Sequence, residues 1–182
     1  FSIALEAAKN GAQVELITGP TAQKISHPQI SRIDVTSSQE MLDACLSSFK
    51  QTDITIMSAA VADYRPKEVL NQKIKKSTNS LNIDLEPTVD ILKMLGKLKS
   101  SDQFLCGFAL ETENEELNAQ NKLTNKNLDM IVLNSLRDKG AGFKYDTNKI
   151  SILDKNNKLH KFELKSKVDV AQDIIDFIIT HL

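Results

Sequence analysis

Ile54-Thr55-Ile56-Met57-Ser58-Ala59-Ala60 is a compact apolar run of strand length, and it passes directly into Val61-Ala62-Asp63-Tyr64-Arg65-Pro66, where charge and proline mark a loop. Before it, Ser37-x-x-Glu40 reads as a capping box for a helix with Met41, Leu42, Cys45, Leu46 and Phe49 on one face, preceded by a strand over Arg32 to Thr36. Further upstream, Ile3, Ala4, Ala7 and Ala8 recur at helical spacing, Gly11 supplies a stop, and Gln13 to Thr18 reads as a buried strand closed by Gly19-Pro20. Downstream the alternation continues. A short strand is expected over Leu81 to Leu85, a helix over Val89 to Leu98, a core strand over Phe104 to Leu110, a helix over Asn114 to Lys126 and a strand over Met130 to Leu133. Such alternation predicts an α/β fold, a mostly parallel sheet flanked by helices, with ligands beyond the carboxyl ends of the strands.

After Gly140-Ala141-Gly142 the pattern changes. Lys149 to Leu153 and Leu159 to Leu164 flank Asp154-Lys155-Asn156-Asn157-Lys158, which predicts a C-terminal β-hairpin extension. Ala171, Ile174, Ile175, Ile178 and Leu182 then fall on one face of a closing helix.

The 182 residues, 41% hydrophobic and 26% charged, suit one domain with an ordinary core. A net charge of -1 provides no global field for nucleic acid or an anionic membrane, and no apolar run is long enough to span a bilayer. The expectation is a soluble, cytoplasmic protein with Cys45 and Cys106 as buried thiols. His27, His160 and His181 show no ligand spacing, so no metal site of His or Cys is indicated and the metal ligands are unknown from sequence. Tyr145-x-x-x-Lys149 has the spacing of a dehydrogenase pair but precedes a strand rather than sharing a helical face, and it is discounted.

Asp63 follows a buried strand, where its carboxylate could hold a base, a ribose or a cation, or simply cap nearby N–H groups. Lys73, Lys75 and Lys76 lie in a segment poor in apolar anchors, about 67–80. It reads either as a solvated loop or as a flap whose charge stabilises a leaving pyrophosphate. Lys122 and Lys126 are four apart on one helical face and could share a triphosphate, although exposed helix lysines are commonly just solvated. Phe108 could stack on a base or belong to the core.

Taken together and in order, Ala59-Ala60-Val61-Ala62-Asp63-Tyr64-Arg65-Pro66, Lys73-Ile74-Lys75-Lys76, Asp90-Ile91-Leu92, Gly107-Phe108-Ala109-Leu110-Glu111-Thr112 and Lys122-Leu123-x-x-Lys126 resemble the phosphopantothenate-cysteine ligase domain of bacterial bifunctional coenzyme A flavoproteins. The resemblance runs over nearly the whole chain, 1–182. It implies a Rossmann-like fold, a homodimer and a two-step reaction with CTP as substrate and Mg2+. The carboxylate of 4'-phosphopantothenate forms an acyl-cytidylate with loss of pyrophosphate, and the amine of L-cysteine displaces CMP. It further implies that Met57, Ser58, Ala59 and Asp63 line the nucleotide site, that Thr88, Val89, Asp90, Ile91 and Phe108 contact the nucleotide, that Lys122 and Lys126 bind phosphates, and that Lys73 assists acyl-cytidylate formation. Val89 stands where the family often has proline. Phe1 opens inside a helical pattern, so a first strand and a glycine-rich turn are expected upstream, with FMN confined to a possible fused decarboxylase domain. The competing expectation is a non-catalytic Rossmann-like module that binds a nucleotide without releasing pyrophosphate.

Overall fold

The structure, a computed structural model, describes residues 1–68, 72, 82–111, 114–135 and 146–182. The chain opens with α1 (Ser2–Lys9). Gly11 closes it in the left-handed region at φ 92, with Gly11 N donating to Ala8 O at 3.0 Å and Ala12 N to Ala7 O at 3.1 Å. A parallel pair follows, β1 (Val14–Thr18) and β2 (Ile30–Asp34), in register from Val14 opposite Ile30 to Thr18 opposite Asp34. The second strand therefore starts earlier than the sequence suggests and stops before Thr36, which belongs to the next helix's entry.

α2 (Ser38–Phe49) is capped by Ser37, whose hydroxyl accepts from Glu40 N at 3.1 Å. The Glu40 carboxylate reaches one residue further back, accepting from Thr36 N at 2.7 Å and from the Thr36 hydroxyl at 2.9 Å. β3 (Ile54–Met57) is shorter than its apolar run, because Ser58, Ala59 and Ala60 leave the sheet and are exposed. The segment read as loop chemistry contains β4 (Tyr64–Pro66), which pairs antiparallel with β5 (Leu85–Pro87). That second strand begins where the expected one at Leu81 to Leu85 was to end, and 82–84 carry no strand.

The remaining elements are α3 (Ile91–Leu98), β6 (Phe104–Glu111), α4 (Glu115–Asn125), β7 (Met130–Ser135), β8 (Thr147–Asn148), β9 (Ile150–Asp154), β10 (Leu159–Lys161), β11 (Lys165–Ser166) and α5 (Lys167–His181). The central sheet runs β10-β9-β7-β6-β3. Its β3, β6 and β7 are parallel, and the β9–β10 hairpin joins antiparallel to β7, as the change of pattern predicts. The two-residue β8 and β11 form a small extra pair. The fold is thus mixed α/β, with a mostly parallel central sheet flanked by helices.

Alternation along the strands divides the interior in two. Leu105, Ala109, Ile131 and Leu133 face Leu42 and Phe49 of α2, Ile91 and Leu95 of α3, and Leu123 of α4; Ile17 and Ile33 bring the β1–β2 pair onto the same cluster. Phe104, Cys106, Met130, Val132 and Ile152 face Ile174 and Phe177 of α5, with Ile3 of α1 beside them. Leu105 and Ile131 are fully enclosed, and truncating either to Ala costs about 2–5 kcal/mol. Both cysteines are free and buried, and burial pushes both thiols up, Cys106 the further. Leu182 is not on the buried face of the closing helix: it is 73% exposed, because α5 ends at His181.

Candidate functional site

The strongest geometry lies where β3 ends beside the middle of β6, Met57 opposite Gly107. The chain leaving β3 is tied to the entry of α3. Thr88 N donates to Asp63 O at 2.8 Å, and the Thr88 hydroxyl donates to Ala62 O at 2.6 Å. Two stretches more than twenty residues apart are thereby fixed to each other at the end of the sheet.

α3 then starts with Asp90 as its cap, Oδ1 accepting from Lys93 N at 3.0 Å. The Lys126 ammonium donates to the same carboxylate, 2.9 Å from Oδ2 and 3.2 Å from Oδ1. Partial burial opposes the ionised form of Asp90, but Lys126, the Lys93 amide and the nearby Lys93 charge outweigh it and hold the carboxyl below its ordinary range. A helix amino terminus and a lysine thus converge, which is the arrangement that receives an anion.

Of the other residues singled out from sequence, Ser58, Ala59 and Asp63 are exposed in the loop after β3, and Met57 is half-buried against the α2 face of the core. Val89 is exposed and borders a shallow recess with Ser38, Leu42 and Arg65, while Ile91 is buried. Lys122 lies one turn before Lys126 in the last turn of α4 and is half-buried. Phe108 is half-buried among the residues facing α5, on the side of β6 opposite Leu105 and Ala109, so the described contacts do not bring it to the Asp90–Lys126 pair. Lys73, with Lys75 and Lys76, lies outside the described residues.

Sequence reasoning placed Asp90 and Lys126 separately and missed their partners in geometry. Asn127, left-handed at φ 52, donates through Nδ2 to Gly96 O at 2.9 Å. An asparagine just past a helical run and a glycine inside one were the available signals. A larger cleft of about 480 Å3, lined by Leu46, Phe49, Leu98 and Gln103, lies at the amino ends of the strands, away from this chemistry. Among the described residues no three His, Cys, Asp or Glu side chains come together as a metal site.

A mostly parallel sheet between helices, with the amino terminus of α3 engaged by the Lys126 ammonium, defines an α/β domain of the Rossmann-like class. Over residues 1–182 the chain matches, and belongs to, the family described as DNA/pantothenate metabolism flavoprotein C-terminal domain. It is 50% identical over 180 residues to a protein from an unknown prokaryotic organism described as "Cysteine/Cysteine sulfinic acid decarboxylase", covering 99% of this chain and 50% of that protein. It is 41% identical over 178 residues to the "Coenzyme A biosynthesis bifunctional protein CoaBC" of Bacillus subtilis, covering 98% of this chain and 44% of that protein. The solved C-terminal domain of a CoaBC protein superposes with a TM-score of 0.80 at 38% identity, covering 97% of this chain and 78% of that one. The chain therefore spans about half the length of the curated relatives it matches.

Proposed function

We propose that this chain is a CTP-dependent ligase unit that joins L-cysteine to 4'-phosphopantothenate in coenzyme A biosynthesis. The observation that carries the reading is the convergence of Lys126 on the capped amino terminus of α3, in a chain of this family. The Thr88–Ile91 loop contacts the nucleotide, and Lys126 with Lys122 holds its phosphates. Lys73 supplies the charge that stabilises the α-phosphorus as the phosphopantothenate carboxylate attacks and pyrophosphate leaves. The cysteine amine then takes the acyl group and CMP departs.

Magnesium is commonly held by one or two carboxylates together with substrate phosphates rather than by a full protein cage. Exposed Asp63, in the loop between β3 and β4, fits that role, and the ion would supply charge neutralisation of the phosphates. The family's description names a flavoprotein, and FMN belongs in this reading to a separate decarboxylase domain. Among the described residues no helix is long and apolar enough to cross a membrane; the proposed setting is the cytoplasm.

The enzyme is also proposed to act as a homodimer through the β4–β5 ribbon. Tyr64, Pro66, Leu85 and Pro87 share one face by register, and Tyr64 and Leu85 are 62% and 58% exposed. On the other face Arg65 pairs with Glu86 at 2.8 Å.

The test is pyrophosphate release by the full-length protein from CTP, ATP, GTP and UTP, with and without 4'-phosphopantothenate. Release from CTP that requires phosphopantothenate is expected, and Lys73→Gln is expected to lower its kcat by about a hundredfold or more. Nucleotide binding without pyrophosphate release would point to the non-catalytic module. Carbon dioxide release from cysteine in its place would align the protein with the relative named as a decarboxylase.

A further inference from the structure

Helix α3 meets the residue that closes α4, Lys126, at backbone contact. A Cβ built at Gly96 would lie 1.8 Å from Lys126 O and 2.8 Å from Lys126 C, atoms that no rotamer change can move aside. The end of α4 is itself firmly closed. Leu128 N donates to Leu123 O at 2.9 Å and Asn127 N to Thr124 O at 3.2 Å, with Asn127 left-handed and both leucines in the core.

Across the contact, Asn127 Nδ2 donates to Gly96 O at 2.9 Å. At the far end of α3, Asp90 takes the Lys126 ammonium. The first helix thus grips the end of the second at two points, the backbone of Lys126 beside Gly96 and the side chain of the same residue at the cap. Gly107 seats the assembly on the sheet, since a Cβ there would come within 2.8 Å of Leu92 Cδ2 and 2.9 Å of Leu128 Cδ1.

We infer that Gly96 and Asn127 are positioning residues: their contact sets the distance between the Thr88–Ile91 loop and the lysines at the end of α4, and so the fit of the nucleotide's phosphates. The inference rests on the proposed ligase reading. Any side chain at 96 must separate the helices by on the order of 1 Å, carrying Lys122 and Lys126 away from the loop together. Removal of the Asn127 amide loosens the same contact without inserting bulk.

The experiment uses the full-length enzyme with Gly96→Ala and Asn127→Gly, measuring KM for CTP, KM for phosphopantothenate, kcat and the thermal midpoint. Glycine accepts the left-handed backbone at 127, so that variant keeps the helix closure and its fold even where Gly96→Ala fails to fold. The expected result is a rise in the CTP KM of about tenfold for Gly96→Ala and about threefold for Asn127→Gly, with kcat and the phosphopantothenate KM little changed. In a Lys126→Ala background the Asn127→Gly effect should shrink, because the two act through one contact.

A merely structural role would lower kcat through the folded fraction and leave the CTP KM alone. A wild type that turns over while Asn127→Gly shows the wild-type CTP KM overturns the inference. A wild type with no CTP-dependent pyrophosphate release overturns the ligase reading and this inference with it.

Discussion

Asp154 is the buried charged side chain among the described residues, 5% exposed at the turn between β9 and β10. Its Oδ1 accepts from Asn156 N at 2.8 Å and Lys158 N at 3.0 Å, Oδ2 lies 3.1 Å from His160 Nε2, and Asn157 takes the left-handed conformation at φ 60. Burial works against the ionised carboxyl, but the Lys158 amide, His160 and the Asn156 amide together hold it below the usual carboxylate range. A depressed folded value means that this stabilisation is complete above the unfolded value of about 3.9 and is lost as pH falls through the lower folded one. Asp154→Asn should therefore lower the urea midpoint at neutral pH, and its gap from wild type should narrow as the pH is taken below about 4. A gap that stays constant with pH would assign the loss to shape rather than charge. The sequence showed a hairpin loop here, but not the enclosure. Phe177 of α5 lies 4.9 Å from the His160 ring, a contact between residues seventeen apart that no local pattern records, whereas its stack at 3.9 Å on His181 is an i,i+4 pair within the helix. The same holds for Asp90 and Lys126: each was visible as a candidate, and their pairing appears only when α3 and α4 pack.

At the scale of elements, legibility follows how much of an element's stability is local. α2 was readable because Ser37-x-x-Glu40 and the spacing of Met41, Leu42, Cys45, Leu46 and Phe49 act within one turn or two, and all of these apolar residues are buried except Leu46, which is half-buried. Glu40 bonds chiefly to Thr36, which offers both an amide and a hydroxyl, with the Ser37 amide a lesser partner. Replacing Ser37 by Ala should cost about 1 kcal/mol by denaturant titration while leaving the Thr36–Glu40 bonds in place. A change near zero would mean that Glu40 alone secures the start of the helix. β4 and β5 lie at the other extreme. Each has three residues and carries proline, a residue that withholds a ladder donor, so their strand character depends on pairing across an intervening segment. The apolar run from Ile54 to Ala60 misled in the opposite sense: small residues at 58–60 look like strand, yet they turn out of the sheet to face solvent.

For the whole molecule, alternation of helix and strand gave the layered α/β plan, while the β9–β10 hairpin marked the place where parallel order ends. What periodicity does not encode is a surface whose partner is another chain. A two-stranded ribbon is marginal by itself in water, and one that exposes Tyr64, Pro66, Leu85 and Pro87 on a single face has apolar area still to cover. If a second copy covers it, Leu85→Asp places two charges in a self-complementary interface, each deprived of water and without a cationic partner there. The expected outcome is a shift from dimer to monomer in sedimentation at micromolar concentration, with the thermal midpoint of the monomer still cooperative because the main core clusters do not include Leu85. Nucleotide affinity is expected to fall in the same variant, since the ribbon is anchored to the site by the Thr88 bonds to Ala62 and Asp63. An unchanged molecular mass would remove the ribbon from the assembly, and a monomeric wild type would remove the dimer itself.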